Sequence, residues 1–103
     1  MALNKDINKI IHEKSKLQIL IYLSTSKEKK VKFNDLKESL NFTSGNLSIQ
    51  LKKLESYDLI KIDKKIVKNK TLTTCYITKQ GLESLEDYLN YMEELIKNFK
   101  ENK

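Results

Sequence analysis

The sequence has no proline, no arginine and no tryptophan, and its 103 residues include only two glycines and one cysteine. The scarcity of turn-forming residues argues against a loop-rich fold. A single cysteine excludes an internal disulfide and a zinc site built from several thiolates. Because arginine is absent, contacts with phosphate must be made by compact lysine ammonium groups rather than by bidentate guanidinium groups.

Long apolar runs are also absent. No stretch has the length and apolarity of a membrane span, and the N-terminus has no signal-peptide core, so we expect no membrane partner and a cytoplasmic location. A chain of 103 residues can build one modest core but not two. We therefore expect residues 1–103 to form a single domain.

The positive charge is concentrated in the middle of the chain. The formal net charge is +6, but residues 14–70 carry 14 lysines against six acidic residues. Residues 71–103 carry four lysines against six acidic residues, so the C-terminal part is slightly acidic. The middle is where an anionic partner would bind, and a merely solvated basic face is the alternative.

Hydrophobic periodicity predicts a mixed fold. One or two helices span about residues 4–26, with a possible break capped by Ser15, and a short strand follows at 31–33. A helix capped by Asn34, a tight turn at 41–42 and a helix from a Thr43 cap to about Tyr57 come next. Alternating segments at 60–67 and 72–78 predict a hairpin with a 68–71 loop, before a long helix capped by Thr78.

This order of elements is that of a winged helix-turn-helix domain. The expected fold class is α+β, mostly helical, with a small antiparallel β-hairpin wing and a long C-terminal dimerisation helix. The helix-turn-helix and wing would occupy residues 31–78. Residues 1–26 and 79–101 would supply the helices of a dimer.

The segment TSGNLSIQLKKLE, residues 43–55, is predicted to be an amphipathic helix. Its leucines fall on one stripe that faces the core, at positions Leu47, Leu51 and Leu54. The opposite face carries small, polar and basic residues and one isoleucine: Gly45, Ile49, Lys52, Lys53 and Ser56, with Asn46 at its edge. An isoleucine pointing away from its own core is unexpected on a face that meets only water.

The major groove of DNA accounts for this face. Gly45 would let the helix N-terminus approach the phosphate backbone, and Ile49 could pack against thymine methyl groups. The candidate DNA contacts on this helix are Thr43, Ser44, Gly45, Asn46, Ser48, Ile49, Lys52 and Lys53. Each residue alone also has an ordinary explanation: a cap, a tolerated glycine near a helix start, a lone exposed apolar side chain.

The predicted wing is rich in lysine. Lys64, Lys65, Lys68 and Lys70 are further candidate DNA contacts, and each phosphate they neutralise would steepen the salt dependence of binding. Lysines that protect exposed strand edges from aggregation are the alternative, and the two roles are compatible.

The last helix carries an almost complete heptad seam. Its apolar residues step alternately by three and four: Leu82, Leu85, Leu89, Met92, Ile96 and Phe99. A chain this small has little left to cover them, so we predict a homodimer through this helix and through Ile7, Ile10 and Ile11 of the first helix. Two-fold symmetry then predicts an inverted-repeat operator. Packing of the last helix on the first within one chain is the alternative.

The segment FNDLKESLNFTSGNLSIQLKKLESYDLIKI resembles the helix-turn-helix core of MarR/ArsR-type winged-helix regulators, in particular the short single-domain group. The likeness extends upstream through IIHEKSKLQILIYL and downstream through YITKQGLESLEDYL. It implies homodimeric regulators of transcription, with residues 44–53 in the major groove and the wing on the minor groove or backbone. Two positions depart from the family pattern: Gln50 stands where His is common, and Lys16 where Arg is common. We expect Gln50 to lie toward the core and to change little.

Catalytic and metal-binding residues are missing. His12 is the only histidine and Cys75 the only thiol, so neither a metal site nor a nucleophile–base pair can be assembled. No enzyme activity, metal or cofactor is expected, and Cys75 is interpreted as a small packing residue, with a redox-sensing thiol as the alternative. The leading hypothesis is a sequence-specific regulator, expected to act as a repressor, whose operator and any small-molecule effector remain unidentified. A protein-docking winged helix and a non-specific chromatin-like DNA binder are the alternatives.

Overall fold

The computed structural model describes residues 5–102. In that range the elements follow the order α1 (Lys5–His12), α2 (Lys14–Thr25), β1 (Lys30–Lys32), α3 (Phe33–Ser39), α4 (Ser44–Ser56), β2 (Ile60–Val67), β3 (Lys70–Ile77) and α5 (Lys79–Glu101). A single 3₁₀ turn at Lys27–Lys29 joins α2 to β1. The predicted α+β winged helix-turn-helix is confirmed, while the predicted helix start at residue 4 lies outside the described residues.

The first helical region is broken at Glu13 rather than at Ser15. Glu13 has an extended backbone, with φ −66° and ψ 127°, and it is the N-cap residue of α2. Its carboxylate accepts a hydrogen bond from the ammonium group of Lys16, one turn into α2. The predicted Ser15 cap is therefore wrong, because the change of direction occurs two residues earlier.

The helix-turn-helix consists of α3, a tight turn and α4. Helix α3 begins at Phe33, and Lys32 precedes it without a side-chain cap, so the predicted Asn34 cap is wrong. Phe33 packs against the core from the first turn of α3, which brings it into the helix. The turn depends on Asn41, whose φ of 57° is a left-handed conformation that asparagine tolerates. Thr43 then caps α4 as predicted.

The three strands form one antiparallel sheet in the order β1–β3–β2. Cys75 lies at its centre, paired with Val31 on one side and Ile62 on the other. The hairpin turn is tighter than the predicted 68–71 loop. Lys68 and Asn69, with φ of 51° and 64°, form a two-residue turn of the type that suits a twisted hairpin. The strand pairing therefore continues as far as Val67 and Lys70.

The core lies between α1, α2, α4, the base of the sheet and the first half of α5. Its fully buried residues include Ile11, Ile19, Leu20, Leu23, Leu36, Leu47, Leu51, Leu54, Leu59, Ile60 and Cys75. Helix α5 starts at the predicted Thr78 cap, whose hydroxyl accepts a hydrogen bond from the Gly81 amide at 2.9 Å. No helix in the described range has both the length and the apolarity to cross a bilayer.

Candidate nucleic-acid interface

Helix α4 separates its two faces as its sequence predicts. Leu47, Leu51 and Leu54 are buried in the core. Burial of this stripe fixes the rotation of the helix about its own axis, so the opposite face must point to solvent. On that face Ile49 keeps 67% of its surface exposed. Gly45, Asn46, Lys52 and Lys53 are exposed as well.

The N-terminus of α4 is arranged to receive an anion. The hydroxyl of Thr43 accepts a hydrogen bond from the Asn46 amide at 3.1 Å. The first amides of the helix, those of Ser44 and Gly45, have no intrahelical acceptor, and the helix dipole adds partial positive charge there. Lys37 of α3 donates to the Ser44 hydroxyl at 3.3 Å and brings a cation to the same point. Lys37 is not among the predicted contacts, because it lies seven residues before Ser44 and on a different helix.

Gly45 is not required by the packing of its own chain. A Cβ atom built at Gly45 has no heavy atom within 4 Å, and the residue does not have a positive φ. Glycine costs roughly 0.5–1 kcal/mol relative to alanine inside a helix. Neither packing nor backbone conformation therefore demands glycine at this position.

A buried lysine contacts α4 from the core side. Lys16 is only 6% exposed and is the one charged residue in the described core. Its ammonium group contacts the carboxylate of Glu13 and donates to Oε1 of Gln50 at 2.7 Å. Nε2 of Gln50 in turn donates to Oδ1 of Asn46 at 3.1 Å. Gln50 is half-buried, toward the core as expected, and it connects the core lysine to an exposed residue of α4.

The C-terminal half of α4 carries the remaining helix candidates. Lys52 is exposed, whereas Ser48 is half-buried and lines a cleft of about 180 Å³ with Lys52 and Lys64. The Lys53 ammonium lies 5.6 Å from the centre of the Tyr57 ring, within range of a cation–π interaction. Lys53 is thus partly held against the protein, while Lys52 projects beside the wing.

The wing presents its lysines on two different faces. Strand alternation places Lys64 and Ile66 on the side of α4, while Lys65 points to the other side and lies 3.7 Å from the carboxylate of Asp63. Lys70 pairs with Val67 and so shares the face of Lys65, and Lys68 lies in the turn. The structure therefore brings Lys64 next to α4 and separates Lys65 and Lys70 from it. Ile66, 80% exposed, is an apolar side chain of the wing that is not among the predicted contacts.

Cys75 has no exposed surface that could take part in this interface. It is fully buried in the sheet, and burial, with a smaller contribution from the charge of Glu55, raises the pKa of its thiol to about 11. His12 hydrogen-bonds through Nδ1 to the Tyr88 hydroxyl between α1 and α5. Among residues 5–102, no three metal-ligating side chains cluster in a way that could hold an ion.

The dimer candidates divide into buried and exposed groups. Ile10, Ile11 and Leu85 lie in the core of their own chain, so they have almost no surface left for a second chain. Their assignment to an interface is corrected for that reason. Ile7, Leu82 and Met92 are partly buried against the same core. The exposed apolar residues of the second half of α5 are Leu89, Tyr91, Leu95, Ile96 and Phe99.

A helix-turn-helix whose second helix exposes Ile49 among amides and lysines, followed by a basic β-hairpin, defines a winged-helix DNA-binding protein. Residues 15–96 match the family described as winged helix DNA-binding domain. The chain belongs to that family. It is 39% identical over 66 residues to the uncharacterized protein MJ0432 of Methanocaldococcus jannaschii, a match covering 64% of this chain and 72% of the relative.

Solved structures share the fold. The transcriptional regulator homologue protein from Pyrococcus horikoshii OT3 is 28% identical, with a TM-score of 0.80 over 92% of this chain and 94% of that chain. AbsC, a MarR family transcriptional regulator from Streptomyces coelicolor, is 18% identical, with a TM-score of 0.71 over 90% of this chain and 65% of that chain. The matched family is one of DNA-binding domains rather than of enzymes, and the likeness to AbsC shows a shared fold, so the predicted winged helix-turn-helix class is confirmed.

Proposed function

We propose that the protein is a sequence-specific transcriptional regulator that acts as a homodimer on an inverted-repeat operator, as a repressor. Helix α4 enters the major groove, and the wing lies on the neighbouring backbone or minor groove. The observation that carries this proposal is Ile49, exposed to 67% in the middle of a face otherwise made of small polar and basic side chains. Apolar contact with a thymine methyl group would use such a side chain, and contact with phosphate would not.

The basic residues fit backbone contacts. Lys37 stands at the N-terminus of α4, and Lys52 and Lys64 line the same cleft between α4 and the wing. Lysine contacts with phosphate position a protein on the duplex and release counterions, but they carry no sequence information. Lys68 at the hairpin turn extends this positive surface beyond α4. Lys65 and Lys70, on the other face of the hairpin, would act mainly through their longer-range charge.

The second half of α5 supports the dimer. On a helix, Leu89, Met92 and Ile96 continue the line of Leu85, which packs in the core, but Leu89 and Ile96 are exposed. Leu95 adds a fourth apolar residue, exposed to 44%. A second copy of α5 would cover this face, because a seam that steps by three and four residues packs against an identical helix. Two-fold symmetry would then present two α4 helices to two half-sites.

Selection from a random library of DNA duplexes at near-physiological salt tests the function. An enriched inverted repeat, with half-sites about one helical turn apart, is the expected result. Retention of DNA without a common sequence would indicate a non-specific architectural binder. No retention at all would identify the face around Ile49 as a protein-docking surface, and either result would overturn the proposal.

Light scattering with size-exclusion chromatography tests the dimer separately. The substitution Ile96→Glu should convert the dimer to a monomer, because it places a charge at the centre of the apolar face. The control Lys97→Glu changes a neighbouring position that points away from this face and should leave the mass unchanged. A monomeric wild-type protein at micromolar concentration would contradict the dimer, whatever the outcome of the selection.

A further inference from the structure

The hydrogen bonds between Lys16, Gln50 and Asn46 have a fixed direction. A lysine ammonium group has three donors and no acceptor. The Gln50 atom that lies 2.7 Å from Lys16 Nζ must therefore be the carboxamide oxygen. This contact removes the usual ambiguity between the oxygen and nitrogen of a glutamine side chain.

The donor-to-acceptor direction that Lys16 sets is passed on through Gln50 to Asn46 at the surface. With its oxygen at Lys16, Gln50 has only its NH₂ group to offer at the other end, and this group lies 3.1 Å from Asn46. Asn46 must accept through Oδ1, so its own NH₂ group is the side-chain end left for a partner. The backbone of Asn46 is also held, because its amide donates to the Thr43 hydroxyl at 3.1 Å.

The burial of Lys16 is costly, which indicates that the charge of its ammonium group has a role in the protein. Placing an ammonium group in a protein core costs several kcal/mol in desolvation, and an apolar side chain of similar length would avoid that cost. Lys16 nevertheless occupies the core with 6% of its surface exposed. Its two polar partners, Glu13 at the junction of α1 and α2 and Gln50 on α4, lie on different elements.

We propose that Lys16 is a positioning residue that sets the hydrogen-bonding polarity of Asn46, so that Asn46 presents a donor to a keto base in the major groove. The keto oxygens are O6 of guanine and O4 of thymine, whereas adenine and cytosine present amino groups at the corresponding positions. The inference rests on the proposed function, since it assumes that α4 reads base edges. A bidentate side chain–base pair gives a preference of at least about fivefold, so the single donor of Asn46 should give a preference near that lower value.

The sharpest test is Gln50→Glu, which keeps the length and shape of the side chain. A carboxylate would still accept from Lys16, but its second oxygen would also accept, so Asn46 would have to turn its NH₂ group inward and its oxygen outward. The preference should then change from a keto base to an amino base at one position of the half-site. A parallel selection from the DNA library with the Asn46→Ala variant identifies this position. The base preference should disappear there, because the side chain that reads the base has been removed.

Substitutions of Lys16 complete the test. Lys16→Met removes the fixed donor, so the keto preference should fall by at least fivefold at that position and remain unchanged elsewhere. Lys16→Arg should retain the keto preference, because a guanidinium group also has only donors. Lys14→Met, on the same helix, is the matched control and should leave the preference unchanged. A purely structural role would lower thermal stability and affinity for all sequences equally without moving the base preference.

The outcomes separate the two proposals. If the wild-type protein enriches an operator and the Gln50→Glu variant keeps its keto preference, the polarity mechanism is wrong and the regulator remains. If the wild-type protein enriches no sequence, the proposed function itself is wrong. Should Lys16→Met fail to fold, Gln50→Glu decides alone, since it leaves Lys16 with a partner.

Discussion

A β-carbon placed on Gly81 would lie 2.1 Å from the carbonyl oxygen of Leu59. Gly81 is the third residue of α5, and Leu59 lies just before β2. The same carbonyl accepts a hydrogen bond from the Thr78 amide at 3.0 Å. The start of α5 is thus held against the base of the wing by a contact that only glycine allows.

Gly81→Ala should destabilise the protein by roughly 1–3 kcal/mol, the usual cost of overpacking a tight site. The methyl group would meet backbone atoms, which cannot move aside as a flexible side chain can. Urea denaturation followed by circular dichroism would measure the change in the free energy of unfolding. An unchanged midpoint would show that α5 can shift away from Leu59 without loss.

Gly45→Ala is the matched substitution on the recognition helix and should have the opposite effect on stability. Open space surrounds Gly45, so alanine should raise the free energy of unfolding by up to about 1 kcal/mol through its higher helix propensity. DNA affinity should fall by about tenfold, equivalent to ~1.4 kcal/mol, if the backbone approaches phosphate here. Equal affinity of the variant and wild type in fluorescence anisotropy would dismiss that close approach.

Ile49→Ala should relax specificity more than affinity. The side chain is largely exposed, so its truncation should leave the free energy of unfolding nearly unchanged. Loss of contact with a thymine methyl group should weaken binding to the selected operator, while binding to unrelated DNA barely moves. Titrations on both duplexes at one salt concentration would measure this. An equal loss on both would remove Ile49 from base reading.

Cys75 should be unreactive in the folded protein. With the thiol pKa raised to about 11, the thiolate fraction at pH 8 is only about one in a thousand, and the residue is also fully buried. Iodoacetamide at pH 8 should therefore leave Cys75 unmodified in mass spectra until urea unfolds the chain. Rapid alkylation of the native protein would mean that the sheet opens around β3.

Glu13 should make stability depend on pH in the acid range. The hydrogen bond from Lys16, followed by the charges of Lys16 and Lys53, holds the pKa of Glu13 below its usual 4.5. A folded-state pKa that is lowered stabilises the protein above the unfolded value, and this contribution is lost as pH falls through the folded pKa. Glu13→Gln should thus be less stable than wild type at pH 7.

The difference between Glu13→Gln and wild type should shrink as the pH is lowered below about 4.5, since protonated Glu13 resembles glutamine. Thermal melts from pH 7 to pH 3 would follow this convergence. Glu86→Gln, an exposed substitution on α5, serves as the control and should run parallel to wild type. A difference between Glu13→Gln and wild type that stays constant with pH would show that Glu13 does not act through its charge.

Local signals in the sequence were sufficient for most of the fold. The predicted N-caps Thr43 and Thr78 are confirmed. Each threonine directly precedes a segment whose leucines recur at helical spacing, so the start of the helix could be placed from the sequence. The Asn34 cap failed because Phe33 packs on the core and enters the helix, a tertiary contact that outweighs capping preference. The hairpin turn was predicted too long because neither Lys68 nor Asn69 is the glycine that usually marks a two-residue turn.

The candidate site was less accessible to sequence reasoning. Helical periodicity alone places Ile49 on the outward face, and the structure agrees. Lys16 and Gln50 are 34 residues apart, so nothing in the pattern of either helix indicates that they meet. Similarly, periodicity cannot tell whether Ile11 faces its own core or a second chain, since both environments select apolar side chains.

The connection from Lys16 through Gln50 to Asn46 restricts how this protein can evolve. Under the proposed mechanism, a change at one of the three positions that replaces a donor by an acceptor, or removes either, breaks the hydrogen-bond sequence that orients Asn46. Lys16→Arg keeps a donor and can occur alone, but changes of hydrogen-bonding type should occur together, so in an alignment of relatives these columns should covary although they belong to separate helices. Divergence of DNA preference within the family would then proceed in steps, as one set of three residues replaces another.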